Sequence, residues 1–193
     1  MRTSHLLMIA ALSSLTSTAF AHSGHDVSMP FVSGFLHPMM GFDHLIAMFA
    51  VGLWGARIGG KAIFAAPFAF VATMLIGFSL AIAGMSIPYV EQGIIASVIF
   101  LGLVLAFSAR LSLVFSSGLV AIFAFFHGAA HGMELPADAH ATGFAMGFAV
   151  ASIAFHLLGV FFNKTIAPLN QKLISRLTGS LIALSGVFLA IAA

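Results

Sequence analysis

The fourth apolar stretch of the sequence carries two histidines and a glutamate at helical spacing. Within residues 126–134, which read FHGAAHGME, His127, His131 and Glu134 occupy positions i, i+4 and i+7 and would share one face of a helix. Imidazole and carboxylate are ligands that suit divalent transition metals. Because a single histidine in an apolar helix is more often a hydrogen-bonded structural residue, a metal site requires further ligands from elsewhere in the chain.

A second group of candidate ligands lies in the first apolar stretch, where residues 37–44 read HPMMGFDH. His37 and His44 are seven residues apart and would project from nearly one face of a helix, with Asp43 about 100° around it. Pro38 leaves open whether His37 lies on that helix or in a loop before it. A charge deep in a bilayer costs about 2.5–3.5 kcal/mol, so a functional role for Asp43 is the default hypothesis.

Other polar residues could extend this set. Glu91 could supply an oxygen at the outer boundary of the third predicted span, or could be an ordinary interfacial carboxylate. His22 and His25, near the N-terminus, could capture metal or belong to a solvated tail. His156 could be a structural hydrogen-bonding residue or a lower step on an ion path. The candidate metal ligands are therefore His22, His37, Asp43, His44, Glu91, His127, His131 and Glu134.

The composition requires a lipid environment and excludes several classes of function. Hydrophobic residues make up 61% of the chain and charged residues 6%, too few to cover a water-facing surface. Cysteine is absent, which excludes disulfides and thiolate metal sites. The few basic residues form no patch for nucleic acid. Residues 55–61, GARIGGK, resemble a phosphate-binding loop, but Ala62 replaces its Ser or Thr, so no nucleotide partner is expected.

The chain divides into a signal peptide and one membrane domain. Arg2, the apolar run of residues 6–15 and the small-x-small pattern at residues 19–21 predict a signal peptide over residues 1–21, cleaved before His22. Residues 22–193 are predicted to form an all-α, polytopic helix bundle with six transmembrane helices. The predicted spans are residues 36–56, 62–84, 89–108, 112–133, 140–162 and 174–192.

The basic residues predict how this bundle is oriented. Cleavage would place the mature N-terminus outside the cytoplasm, and six crossings would return the C-terminus to the same side. The connections then left inside contain Arg57, Lys61, Arg110, Lys164 and Lys172, with Arg176 just beyond. We therefore expect a multi-pass protein of the inner (cytoplasmic) membrane with both mature termini in the periplasm.

The two motifs, H-x5-D-H and F-H-G-x-A-H-G-x-E, together resemble the HupE/UreJ family of nickel/cobalt permeases, and the resemblance covers the whole chain. It implies uptake of Ni²⁺, or in some members Co²⁺, as a transported substrate, with no prosthetic group. Spacing alone does not separate these ions from Zn²⁺ or Cu²⁺. The resemblance carries the essential positions of the family onto His37, Asp43, His44, His131 and Glu134, and also onto Glu91.

Other functions remain open at this point. An intramembrane zinc-dependent hydrolase could use His127, His131 and Glu134, although the sequence contains no HExxH motif. A haem-binding electron carrier with paired histidines and a purely structural membrane subunit are further alternatives. The permease interpretation predicts no enzymatic activity, a divalent metal ion and the lipid bilayer as partners, and an oligomeric state that the sequence leaves open.

Overall fold

The apolar stretches fold into helices, which satisfy their own backbone hydrogen bonds as lipid requires. The computed structural model describes residues 29–109, 111–136, 139–166 and 169–192, and all regular structure within them is helical. In chain order the elements are α1 (Pro30–Leu36), a 3₁₀ helix (His37–Met40), α2 (Phe42–Ile58), α3 (Ala62–Ile82), α4 (Val90–Ala106), α5 (Leu113–Glu134), α6 (Ala141–Ile166) and α7 (Gln171–Ala192).

Several of these helices are long and apolar enough to cross a membrane. Four of them, α3, α5, α6 and α7, meet this condition individually, and the bent pair of α1 and α2 adds a fifth if it forms one span. Helix α4, with 17 residues, is shorter. The described residues thus form an all-helical membrane bundle with four to five candidate spans, and the count of six stays a prediction. The predicted signal peptide and His22 lie outside the described residues.

The first predicted span, residues 36–56, is not one continuous helix. Helix α1 ends at Leu36, and the segment Pro30–Met40 meets α2 at an angle of 89°. Pro38 cannot donate a backbone hydrogen bond to the preceding turn, and Gly41 has an extended backbone, so the helix is interrupted between them. His37 and His44 therefore do not share one helix face, and of the two alternatives that Pro38 left open the structure has the one in which His37 lies off that helix. His37 lies in the 3₁₀ helix and His44 in the first turn of α2.

Glycines bring the helices into backbone contact. A Cβ atom on Gly128 of α5 would overlap the carbonyl group of Met74 on α3, and one on Gly77 of α3 would overlap the carbonyl of Phe125 on α5. Close packing of small residues is a main source of helix association in lipid. Because Gly128 directly follows His127, this contact fixes where the imidazole lies. Similar close contacts join α4 to α7 and α2 to α6, at Gly102, Gly179, Gly52 and Gly159.

The contact between α3 and α5 gives a first prediction. Gly128→Ala should destabilise the protein, because the added methyl group has no room against α3 and overpacking costs about 1–3 kcal/mol. Thermal unfolding of the purified protein in detergent measures the effect. Gly118→Ala is the matched control, since a Cβ atom there on the same helix would meet nothing within 4 Å. Equal unfolding temperatures for the two variants would contradict the packing described.

Candidate metal centre

Three ligand atoms converge where the 3₁₀ helix meets the C-terminal end of α5. His37 Nε2 lies 3.2 Å and His131 Nδ1 lies 3.6 Å from the same oxygen, Glu134 Oε2. Among the residues that the structure describes, these three form the one group whose ligand atoms all lie within 4.8 Å of one another. The Glu134 side chain is 58% exposed and that of His131 is 4% exposed, so the group connects the surface with the interior.

His44 is oriented by the residue that precedes it. Asp43 Oδ1 lies 2.7 Å from His44 Nδ1 and also accepts a hydrogen bond from the His44 backbone N–H at 2.8 Å. Because a carboxylate accepts hydrogen bonds, Nδ1 of His44 carries the proton and Nε2 carries the lone pair. Nε2 is buried and has no hydrogen-bond partner. Carboxylates commonly orient metal-binding histidines in this way.

His127 is oriented by a serine on α4. The Ser97 hydroxyl donates to the Ile94 carbonyl at 2.6 Å, and its oxygen lies 2.9 Å from His127 Nε2. Since the one hydroxyl proton is used by the carbonyl, Ser97 accepts a hydrogen bond from Nε2–H, and the lone pair of His127 lies on Nδ1. That nitrogen is buried without a hydrogen-bond partner. Ser97 therefore presents His127 Nδ1 as a potential ligand.

The four imidazole rings form a continuous row, the imidazole file, which runs from His37 through His131 and His44 to His127. The centroid of the His131 ring lies 4.6 Å from that of His37 and 4.3 Å from that of His44. The His44 ring lies 4.7 Å from that of His127. His127 is fully buried, and neither ring nitrogen of His131 has a hydrogen-bond partner. Unpartnered nitrogens are costly in an apolar interior, so their concentration here indicates that they serve a ligand.

The structure does not bring every sequence-predicted ligand into this file. Three separate elements supply the file and the two carboxylates that contact it: His37, Asp43, His44, His127, His131 and Glu134. Glu91 lies exposed in the first turn of α4 and is not part of the converging group. Ser97 was missed by sequence reasoning, because a lone serine in an apolar helix is usually bonded to its own backbone.

The fold and the site together define a polytopic helical membrane protein with a partly buried cluster of imidazoles and carboxylates suited to a transition metal. The chain matches the model of the HupE / UreJ protein family over residues 10–189. It is 37% identical over 189 residues to Protein HupE of Rhizobium leguminosarum bv. viciae, covering 98% of each chain. No solved structure matches it. The chain belongs to the HupE / UreJ family, which is associated with nickel and cobalt uptake and consists of transporters, not enzymes.

The contact between Ser97 and His127 gives a second prediction. Ser97→Ala removes the acceptor for His127 Nε2–H, so Ni²⁺ affinity should fall about 10-fold, at the lower end of the effect expected for such supporting partners. Titration calorimetry on the purified protein measures the affinity, and ¹⁵N chemical shifts of the imidazole report its tautomer. Ser185→Ala is the control, because that hydroxyl donates only to carbonyls of its own helix. An unchanged tautomer and affinity in Ser97→Ala would argue against this role.

Proposed function

We propose that this chain is a membrane permease for the uptake of Ni²⁺, with Co²⁺ as the second candidate substrate. The observation that carries the proposal is the file of imidazoles that leads from an exposed carboxylate, Glu134, to the fully buried His127. His44 and His127 each use one ring nitrogen for a hydrogen bond to the protein and keep the other buried without one. A route for cations requires ligand atoms that are free to bind and release.

The distances at the entrance are compatible with one shared ion. Two ligands that each lie about 2.1 Å from a metal ion are separated by about 3.0–4.2 Å in tetrahedral or octahedral geometry. The separations of 3.2 Å and 3.6 Å from Glu134 Oε2 to His37 and His131 fall in that range. Glu134 would first attract the hydrated ion, and the two imidazoles would then replace part of its water shell.

His44 and His127 would receive the ion next, through His44 Nε2 and His127 Nδ1. In this proposal Asp43 contributes mainly by orienting His44 and by its negative charge. A site that bound its ion as completely as a structural zinc centre would block transport, so part of the coordination shell should remain water. The successive imidazoles would divide the passage into several weak steps.

The distribution of charge supports a direction for this passage. The cluster lies where α5 ends and α2 begins. Arg57 and Lys164 lie near the C-terminal ends of α2 and α6, and Lys61 and Lys172 lie near the N-terminal ends of α3 and α7. These four ends are at the other side of the bundle. By the positive-inside rule, the basic end would face the cytoplasm and the cluster the periplasm, in the inner membrane with both mature termini outside. Glu91, at the start of α4, would then lie on the entry side and attract cations there.

The donor set restricts the substrate without selecting one ion. Imidazole and carboxylate also suit Zn²⁺ and, less distinctively, Cu²⁺. Met39, Met40 and Met133 have exposed side chains, and none of the contacts that form the file involves their sulfur atoms. This favours the borderline ions Ni²⁺ and Co²⁺ over Cu⁺. The alternative of an intramembrane zinc-dependent hydrolase gains no support, since the family consists of transporters.

Removal of single imidazoles tests this proposal. Loss of a residue that only supports a metal ligand typically costs about 10–100-fold in metal affinity or activity. His44→Ala and His131→Ala remove ligands themselves, so each should reduce uptake by at least this factor. The measurement is uptake of radioactive nickel into proteoliposomes, with Co²⁺, Zn²⁺ and Cu²⁺ as competitors to establish selectivity. His140→Ala is the matched control, because His140 is exposed and lies outside the file. Uptake at the control level in both cluster variants would refute the proposal.

Acidity should also affect uptake. The rate should decrease as the external pH falls, because a metal-binding imidazole must be neutral and protons compete with the metal for its lone pair. The experiment varies the external pH of proteoliposomes at constant internal pH. A rate that rises as the external pH falls would contradict competition between protons and the metal at the imidazoles.

A further inference from the structure

A fifth histidine is buried in the bundle on a helix that contributes no ligand to the cluster. His156 on α6 is 1% exposed, and neither its Nδ1 nor its Nε2 has a hydrogen-bond partner. The ring of Phe70, on α3, lies 4.9 Å from His156 and 5.7 Å from His127, measured between centroids. The Phe70 ring is therefore a common neighbour of His156 and of His127, the inner end of the imidazole file.

His156 belongs to a buried polar stripe on α6. Ser152, His156 and Asn163 are 0%, 1% and 3% exposed and follow positions i, i+4 and i+11, which lie on one helix face. Ser152 donates to the Phe148 carbonyl at 2.9 Å, and Asn163 Oδ1 accepts from Gln171 Nε2 at 3.2 Å. The stripe leads from the level of the cluster towards the basic end of the bundle, where Lys164 lies in the last turn of α6.

The surroundings of His156 do not supply a structural reason for an imidazole. A Cβ atom on Gly52 of α2 would overlap the His156 carbonyl, so the backbone is held tightly by helix packing that an apolar side chain would permit equally well. An unpartnered buried polar group costs about 1–3 kcal/mol, and polar residues inside membrane helices are by default functional. His156 thus provides a buried imidazole, with one ligand atom in its neutral form, that the described cluster does not use.

We propose that His156 is a second, inner binding station, which takes a divalent transition-metal ion from His127 after the ion has passed the Phe70 ring. The inference rests on the proposed function and adds a step to it. Because the Phe70 ring lies beside both imidazoles, we expect it to turn aside during the transfer. Asn163, seven residues further along α6, offers an amide group on the way to the cytoplasmic end.

Transport kinetics test the station. His156→Leu replaces the imidazole by an apolar side chain of similar size, so the maximal rate of Ni²⁺ uptake into proteoliposomes should fall at least about 10-fold. The half-saturating Ni²⁺ concentration should change less than about threefold, because capture at Glu134, His37 and His131 is unaffected. His140→Leu is the control. A maximal rate equal to that of the control, at equal amounts of protein per vesicle, would overturn the inference.

A thiol probe tests the same station without measuring transport and also serves if His156→Leu does not fold. Because the chain contains no cysteine, His156→Cys introduces a single thiol. If a cation occupies this position, added Co²⁺ should produce a near-ultraviolet thiolate-to-metal charge-transfer band in the purified protein. Leu157→Cys, at a neighbouring position that is 61% exposed, should produce none.

The outcomes separate the station from the permease proposal. A band in His156→Cys and none in Leu157→Cys supports the station. No band in His156→Cys, in protein that still binds Co²⁺ at the imidazole file, overturns the station and leaves the permease proposal intact. If wild-type proteoliposomes take up no Ni²⁺ or Co²⁺ at all, the permease proposal fails, and the inner step in transport fails with it.

Discussion

Imidazole nitrogens that are buried in an apolar helix bundle without hydrogen-bond partners constrain everything else in this structure. His44, His127, His131 and His156 each present at least one such nitrogen. Each unpartnered group costs about 1–3 kcal/mol, and no apolar packing requires it. The folded bundle tolerates this loss of stability because other contacts hold its helices together, and a bound cation would offset the loss.

The same contacts between helices also determine the positions of the ligands. Gly77 and Gly128 let α3 and α5 approach at backbone distance, which positions the segment of α5 that carries His127 and His131. The break between α1 and α2 has the opposite effect, because it frees the His37 segment from the helix that carries His44. The two histidines can then approach His131 from different directions, at centroid distances of 4.6 Å and 4.3 Å.

Much of the site follows from the sequence where one helix runs without interruption. The spacing of His127, His131 and Glu134 placed them correctly on one helix, α5, because α5 continues unbroken to Glu134. The same reasoning failed for His37 and His44, since Pro38 and Gly41 interrupt the helix and spacing then has no fixed angle. The contact between His37 and Glu134 joins residues 97 positions apart, and only the packing of the bundle determines it. Ser97 was not predictable, because its hydrogen bond to His127 depends on how α4 packs against α5.

The central claim is that imidazoles from separate elements bind one transported ion together. X-ray absorption spectroscopy at the nickel edge, on the purified protein with one equivalent of Ni²⁺, measures this directly. The account predicts a shell of nitrogen and oxygen atoms with the multiple scattering of more than one imidazole and no sulfur. A spectrum of oxygen ligands alone, or one with a sulfur atom in the first shell, would contradict it.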